Sequence, residues 1–232
     1  MIDIKDKQYL ALYGVTDRWW VKQKLEKAGV PVTDDALREG LLEDTKAALE
    51  GGMTYVQMRE KGDPMTEDEL LTEALALKAL CAEYGVPFVI DDDVELAVKC
   101  GADGVHVGQS DMACVEARRA LGSAKVVGVS AQTVEQAVQA EKDGADYLGV
   151  GAVFPTGSKD DADDVSHDTV KAICEAVNIP VIAIGGISKN NVGQLAGLGL
   201  DGVAVISAIY ASDDLKAATE DLKAKTVKAL NL

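Results

Sequence analysis

Val86-Pro-Phe-Val-Ile-Asp-Asp-Asp-Val-Glu-Leu-Ala-Val-Lys-Cys-Gly-Ala-Asp-Gly-Val-His-Val-Gly-Gln109 carries one complete strand–helix–strand passage. Two short apolar runs, 87–92 and 104–109, flank a helix-like stretch at 94–100. Neither run alternates with polar residues, as expected of strands covered on both faces in a parallel sheet. Between them, Gly101-Ala-Asp-Gly-Val105 ends the helix and opens the next strand. The glycine suits a left-handed helix stop, and the aspartate can satisfy backbone groups of the loop. The same junction returns as Gly144-Ala-Asp-Tyr-Leu148 and Gly199-Leu-Asp-Gly-Val203, and Val86-Pro-Phe-Val-Ile90 returns as Ile179-Pro-Val-Ile-Ala183.

Extending this unit in both directions gives strands at 9–16, 54–60, 87–92, 104–109, 125–131, 147–154, 180–186 and 202–208. Helical patterns fall at 37–50, 66–84, 94–100, 113–121, 133–143, 169–177, 190–197 and 214–229. In the second of these, Leu70, Leu71, Ala74, Leu77, Lys78 and Cys81 recur at helical spacing, with Thr66 as the N-cap. Eight strands each followed by a helix is the order of an α/β (β/α)8 TIM barrel. The 232 residues suit one such domain, which spans about 200–250 residues. The irregular part is an insert at 17–36 carrying Trp19 and Trp20. It reads either as a lid over the barrel mouth or as a loop packed down by its aromatic pair, the second being favoured.

The composition excludes several classes of function. With 23 basic and 39 acidic residues the net charge is −16, a surface that repels nucleic acid and anionic membranes. No apolar run reaches the roughly 18 residues of a spanning helix, and Met1-Ile-Asp-Ile-Lys5 does not read as a signal peptide. A cytoplasmic protein is therefore expected, with homo-oligomerisation left open. Cys81, Cys100, Cys114 and Cys174 are widely spaced and the chain has two histidines, so disulfides and His- or Cys-ligated metals are not expected.

Catalytic groups of such a barrel gather at the C-terminal strand ends. Alternation along strand 2 puts Gln57, Arg59 and Lys61 on one face, two cations and an amide that call for an anion. Strands 3 and 4 supply Asp92 and Asp111, close enough on neighbouring strands to share one hard cation, Mg2+, alongside a substrate phosphate. Asp93 reads as the cap of the helix that starts at Val94. Thr156-Gly-Ser-Lys159 offers two hydroxyls and a cation, and Gly185-Gly186 with Ile206-Ser207 suits the phosphate cup that barrels build after strands 7 and 8, next to a helix N-terminus. Two anion sites, one with a metal, suit the joining of two phosphorylated small molecules with loss of pyrophosphate. His106 reads as a core histidine with both nitrogens satisfied, and His167 as an exposed loop residue.

Tyr13-Gly-Val-Thr-Asp17, Gln57-Met-Arg-Glu-Lys61, Ile90-Asp-Asp-Asp-Val-Glu-Leu96, Ala102-Asp-Gly-Val-His-Val-Gly-Gln109 with Asp111, Gly128-Val-Ser130, Gly149-Val-Gly-Ala-Val-Phe-Pro-Thr156, Ala183-Ile-Gly-Gly-Ile187 and Val205-Ile-Ser-Ala-Ile209 together resemble the thiamine-phosphate synthase family. The resemblance implies a transferase that joins an aminopyrimidine methyl diphosphate to a thiazole phosphate. Pyrophosphate leaves first, and the thiazole nitrogen attacks the resulting cation. It implies magnesium on Asp92 and Asp111, and diphosphate contacts from Gln57, Arg59, Lys61, Asp91, Ser130 and Lys159. Arg59, Lys61, Ser130 and Lys159 act on the leaving group in that scheme. Thiazole-phosphate contacts fall on Thr156, Ser158, Gly186, Ile206 and Ser207. Asp91 stands where the family usually has Asn, Ser158 where it has Thr, and Gln132 where it often has His. Asp91 is expected to join Asp92 on the magnesium. A related thiazole tautomerase is the second reading and a non-catalytic thiazole-phosphate sensor the third.

Overall fold

In the computed structural model, which describes residues 7–62, 64–109, 112–156 and 165–232, the strands pair in chain order and close into a barrel. They are β1 Leu12–Val15, β2 Tyr55–Met58, β3 Phe88–Asp91, β4 Gly104–Val107, β5 Val126–Ala131, β6 Tyr147–Val150, β7 Val181–Ile184 and β8 Gly202–Val205. Every pairing is parallel, including that of β1 with β8. The helices are α1 Lys7–Leu10, α2 Arg18–Ala28, α3 Asp34–Glu50, α4 Glu67–Glu83, α5 Val94–Cys100, α6 Cys114–Leu121, α7 Val134–Lys142, α8 His167–Ala176, α9 Ser207–Tyr210 and α10 Leu215–Leu230. A 3-10 turn, Val192–Leu195, replaces the helix expected at 190–197.

All eight expected strands are present, each shorter than its apolar run. The first and sixth each lose four residues, and at the first, residues 9 and 10 belong to α1. The insert is not irregular: α2 fills most of it, capped by the Asp17 carboxylate on the Trp19 N–H (3.0 Å) and stopped by Gly29 at φ +69°. Trp20 packs toward the core with Trp19 edge-on against it, their ring centroids 4.5 Å apart, and Trp19 stays half exposed. Buried Arg18 ties α2 to the start of α4, with Nη1 on the Met65 sulfur (2.7 Å), Nη2 on the Asp34 carbonyl (3.3 Å) and Nε 3.5 Å from Glu73. Thr66 caps α4 and forms a reciprocal capping box with Glu69. Asp93 caps α5 through the Leu96 N–H, as expected.

Apolar residues form two cores. The larger lies between strands and helices and includes Leu77, Phe88, Val105, Leu148 and Ile173. The smaller fills the barrel with Tyr13, Tyr55, Tyr147, Val89 and Ile182. Glycines make room for these rings: a Cβ at Gly128 would overlap the ring of Tyr147.

At the N-terminal rim the repeated Gly-x-Asp junctions act as clasps between strands. Asp103 accepts from the Phe88 N–H (2.9 Å), Asp146 from Val127 (2.9 Å) and Asp201 from Val181 (3.1 Å). Each aspartate also donates its own N–H to the carbonyl of the residue it clasps, at 2.8 Å. Thr54 does the same for β1, its hydroxyl accepting from Leu12 N–H and facing Leu12 O, both at 2.9 Å. Thus β1 is clasped to the entry of β2, β3 to that of β4, β5 to that of β6 and β7 to that of β8.

Candidate active site

The C-terminal strand ends enclose a cavity of about 490 Å³. Gln57, Arg59, Lys61, Asp91, Asp92, Ser130, Thr156, Gly186, Ile206 and Ser207 all line it, so these expected site residues do come together. Asp111, Ser158 and Lys159 lie outside the described residues. Tyr13, His106, Gln109 and Gln132 line the cavity as well. Tyr13 and His106 lie inside apolar runs, which gave little sign of that role, whereas Gln109 and Gln132 stand at strand ends.

One wall is built by β2 and β3. Gln57 is almost fully buried, and the next inward residue, Arg59, is fixed by its N–H donating to Thr16 Oγ1 at 3.0 Å. The Arg59 guanidinium lies between two carboxylates, 3.7 Å from Asp91 and 3.9 Å from Asp17. Asp91 therefore faces Arg59 across β2 and β3. Lys61 Nζ sits 2.7 Å from Asp92 Oδ2. Asp92 holds φ +60°, a left-handed conformation that aspartate tolerates better than most residues. Its N–H bonds to the His106 carbonyl (2.8 Å), while the Asp93 N–H closes a three-residue turn onto Asp91 O (2.7 Å). The turn presents the Asp92 carboxylate on the cavity wall.

The opposite wall combines the ends of β7 and β8. Gly185 and Gly186 have φ +89° and +64°, and a Cβ on Gly186 would come within 2.6 Å of the Phe154 and Pro155 carbonyls. This close approach admits only glycine. Asn191 Nδ2 donates to Gly186 O at 2.9 Å and holds the loop. The helix that follows β8 is the single turn α9, so the cup consists of first-turn backbone N–H groups with little macrodipole behind them. His167 begins α8, half-buried and edge-on to Phe154 at 5.4 Å, which corrects its reading as an exposed loop residue.

Two neighbouring features concern protons. His106 is satisfied on both nitrogens, as expected of a core histidine: Nδ1 to Tyr147 OH and Nε2 to Ser130 Oγ, each at 3.0 Å. Behind the cationic wall, Glu60 Oε1 and both Glu73 oxygens are buried with no hydrogen-bond donor among the described residues. Burial, and then the adjacent Glu73 carboxylate, push Glu60 up to about 9. Burial raises Glu73 too, against the pull of Arg18. One proton shared by the two carboxyls answers both the missing donor and the charge balance with Arg18. The thiols of Cys81 and Cys174 are pushed up to about 12 by burial, which makes them poor nucleophiles.

Residues 29–209 match the family model described as thiamine monophosphate synthase. The chain belongs to that family. It is 46% identical over 195 residues to the thiamine-phosphate synthase of Clostridium tetani, covering 82% of this chain and 91% of that one. To the Clostridium beijerinckii thiamine-phosphate synthase it is 40% identical over 210 residues, 90% of this chain and 100% of the relative. The structure of thiamine phosphate pyrophosphorylase from Pyrococcus furiosus superposes with a TM-score of 0.81 at 38% identity, covering 97% and 98% of the two chains. The family makes this protein an enzyme, a transferase of thiamine biosynthesis. No helix among the described residues is long and apolar enough to cross a membrane.

No three His, Cys, Asp or Glu side chains gather into a metal nest among the described residues. The donor chemistry nonetheless fits magnesium, which takes one or two carboxylates and completes its shell with substrate oxygens and water. Asp92 is such a carboxylate, on the cavity wall and already facing positive charge.

Proposed function

We propose that this protein joins an aminopyrimidine methyl diphosphate to a thiazole phosphate, giving thiamine phosphate and pyrophosphate. The observation that carries the reading is one cavity with two different anion walls: Gln57, Arg59 and Lys61 on one side, Gly186, Ile206 and Ser207 on the other. Arg59, Lys61 and Lys159 receive the diphosphate, with Gln57, Asp91 and Ser130 orienting it. The carbon–oxygen bond breaks with its electron pair going to the diphosphate, and these cations stabilise the charge as it grows. Thr156, Ser158, Gly186, Ile206 and Ser207 hold the thiazole phosphate so that its nitrogen lone pair meets the pyrimidine methylene and forms the new carbon–nitrogen bond. Held by Asp92 and Asp111, magnesium would supply further positive charge to the leaving diphosphate. Joining the two rings requires no side-chain base. The cytoplasm is the compartment that suits these phosphorylated substrates.

The tautomerase reading needs a base in the cavity, and Gln132 presents an amide there, which takes no proton at neutral pH. The deciding experiment mixes the purified protein with both substrates, with magnesium and after chelation. Thiamine phosphate and pyrophosphate are expected in equal amounts, falling by more than about a hundredfold on chelation. No product in the presence of magnesium and both substrates overturns the reading.

A further inference from the structure

From Ser130 on the cavity wall, a chain of hydrogen bonds runs down into the barrel. Ser130 Oγ meets His106 Nε2 at 3.0 Å, His106 Nδ1 meets Tyr147 OH at 3.0 Å, and Tyr147 OH meets Tyr13 OH at 2.9 Å. The two tyrosines are sealed, with Tyr13 at 1% and Tyr147 at 0% exposure. The barrel is shaped around them: Gly128 leaves room for the Tyr147 ring, and a Cβ on Gly149 would press on His106 Cε1 at 3.0 Å. This gives a purpose to two glycines whose sequence context explains neither.

Hydrogen counting decides the direction of the chain. Four groups, with a neutral imidazole, carry four protons for three bonds, so one proton is left over at one end. If the chain points inward, Ser130 donates to His106 and the spare proton falls on Tyr13. The Tyr13 hydroxyl has Tyr147 as its hydrogen-bond partner, and the adjacent Tyr55 hydroxyl accepts nothing from it. A sealed hydroxyl proton would then go unsatisfied, at the cost of a lost hydrogen bond. If the chain points outward, Tyr13 donates to Tyr147, Tyr147 to Nδ1, and Nε2–H to Ser130. The spare proton is then on Ser130 and faces the cavity. The directions have opposite effects on an anion, since the inward chain offers it an oxygen lone pair and the outward chain a donor.

We propose that His106, backed by Tyr147 and Tyr13, is a positioning residue that fixes the Ser130 hydroxyl as a donor to the diphosphate-bearing substrate. The inference rests on Ser130 lying in the diphosphate half of the proposed site. The chain has two histidines, so nitrogen-15 NMR of the free protein reads the His106 tautomer directly. The ring is expected to carry its proton on Nε2. Tyr147→Phe keeps the ring but removes the donor to Nδ1, so kcat should fall about tenfold, the worth of one hydrogen bond, with KM for the thiazole phosphate unchanged. In a Ser130→Ala background the same change should alter kcat by less than about twofold, because the chain no longer has a hydroxyl to orient. A ring protonated on Nδ1, or equal losses in both backgrounds, overturns the inference. The nitrogen spectrum uses no substrate, so a wild-type protein that makes no thiamine phosphate defeats the proposed function and not the tautomer.

Discussion

Aspartates at the two rims of this barrel do opposite work. At the N-terminal rim Asp103, Asp146 and Asp201 accept from backbone N–H groups of the neighbouring strand. Their charge is absorbed by the fold and holds strands in register. At the C-terminal rim Asp17, Asp91 and Asp92 face the side chains of Arg59 and Lys61. Those partners are side-chain cations that an incoming phosphate also attracts. The same residue type thus stabilises one rim and tunes a binding site at the other. What separates the roles is whether the partner is fixed backbone or an exchangeable side chain.

The contrast breaks if the rims respond alike to mutation. The largest effect belongs to Asp92→Asn, expected to lower turnover by more than about a hundredfold by removing a carboxylate from the leaving-group side. Its half-exposed pair with Lys61 should contribute within about 1 kcal/mol of stability, so denaturant unfolding should barely change. Asp103→Ala should do the reverse, costing about 1–3 kcal/mol by leaving the Phe88 N–H without its acceptor, with turnover per folded molecule intact. A turnover loss in Asp103→Ala comparable to that of Asp92→Asn would erase the distinction. The smallest effect probes Glu60, which lies behind the C-terminal rim and depends on a proton. Its native value near 9 lies above the ordinary 4.5, so the folded state holds a proton that unfolding releases. Stability from this group is complete below the ordinary value and is lost as pH rises toward 9. Glu60→Gln should therefore flatten the decline of the thermal midpoint between about pH 6 and pH 9. An unchanged slope would show that the proton is not held there.

The strands were readable because each is an apolar run between Gly, Pro or Asp, and the barrel followed from their number. Helix α2 was missed although its start and stop signals, Asp17 and Gly29, stand in plain view. With Arg18 and Val21 as its buried residues, it has too few apolar positions for periodicity to reveal it. The Pro-led and Gly-x-Asp repeats were both visible, yet their connection was not. Asp103 takes the N–H just after Pro87 and Asp201 the N–H just after Pro180, so the repeats are two halves of one contact between distant segments. In the site, strand-end position was enough to gather Gln57, Arg59, Lys61, Asp92 and Ser207. The partner chosen by Asp91 depends on side-chain reach across β2 and β3, which linear spacing does not report. Tyr147 was hidden for the same reason: its hydroxyl matters through His106, a contact spanning two strands.

The four clasps join strands only within the pairs β1–β2, β3–β4, β5–β6 and β7–β8. At the N-terminal rim the barrel is four sewn quarters. The seams between them are closed there by backbone bonds such as Val56 N–H to Pro87 O and Leu148 N–H to Pro180 O, with Lys125 Nζ on the Gly101 and Ala102 carbonyls at the β4–β5 seam. Moving the chain ends by circular permutation into α4 or α6 opens a seam and leaves every quarter whole. Moving them into α5 cuts the covalent link within the β3–β4 quarter and leaves Asp103 to find Phe88 across a broken chain. Rearrangement by whole quarters, rather than by single strands, is the route this architecture leaves open to recombination.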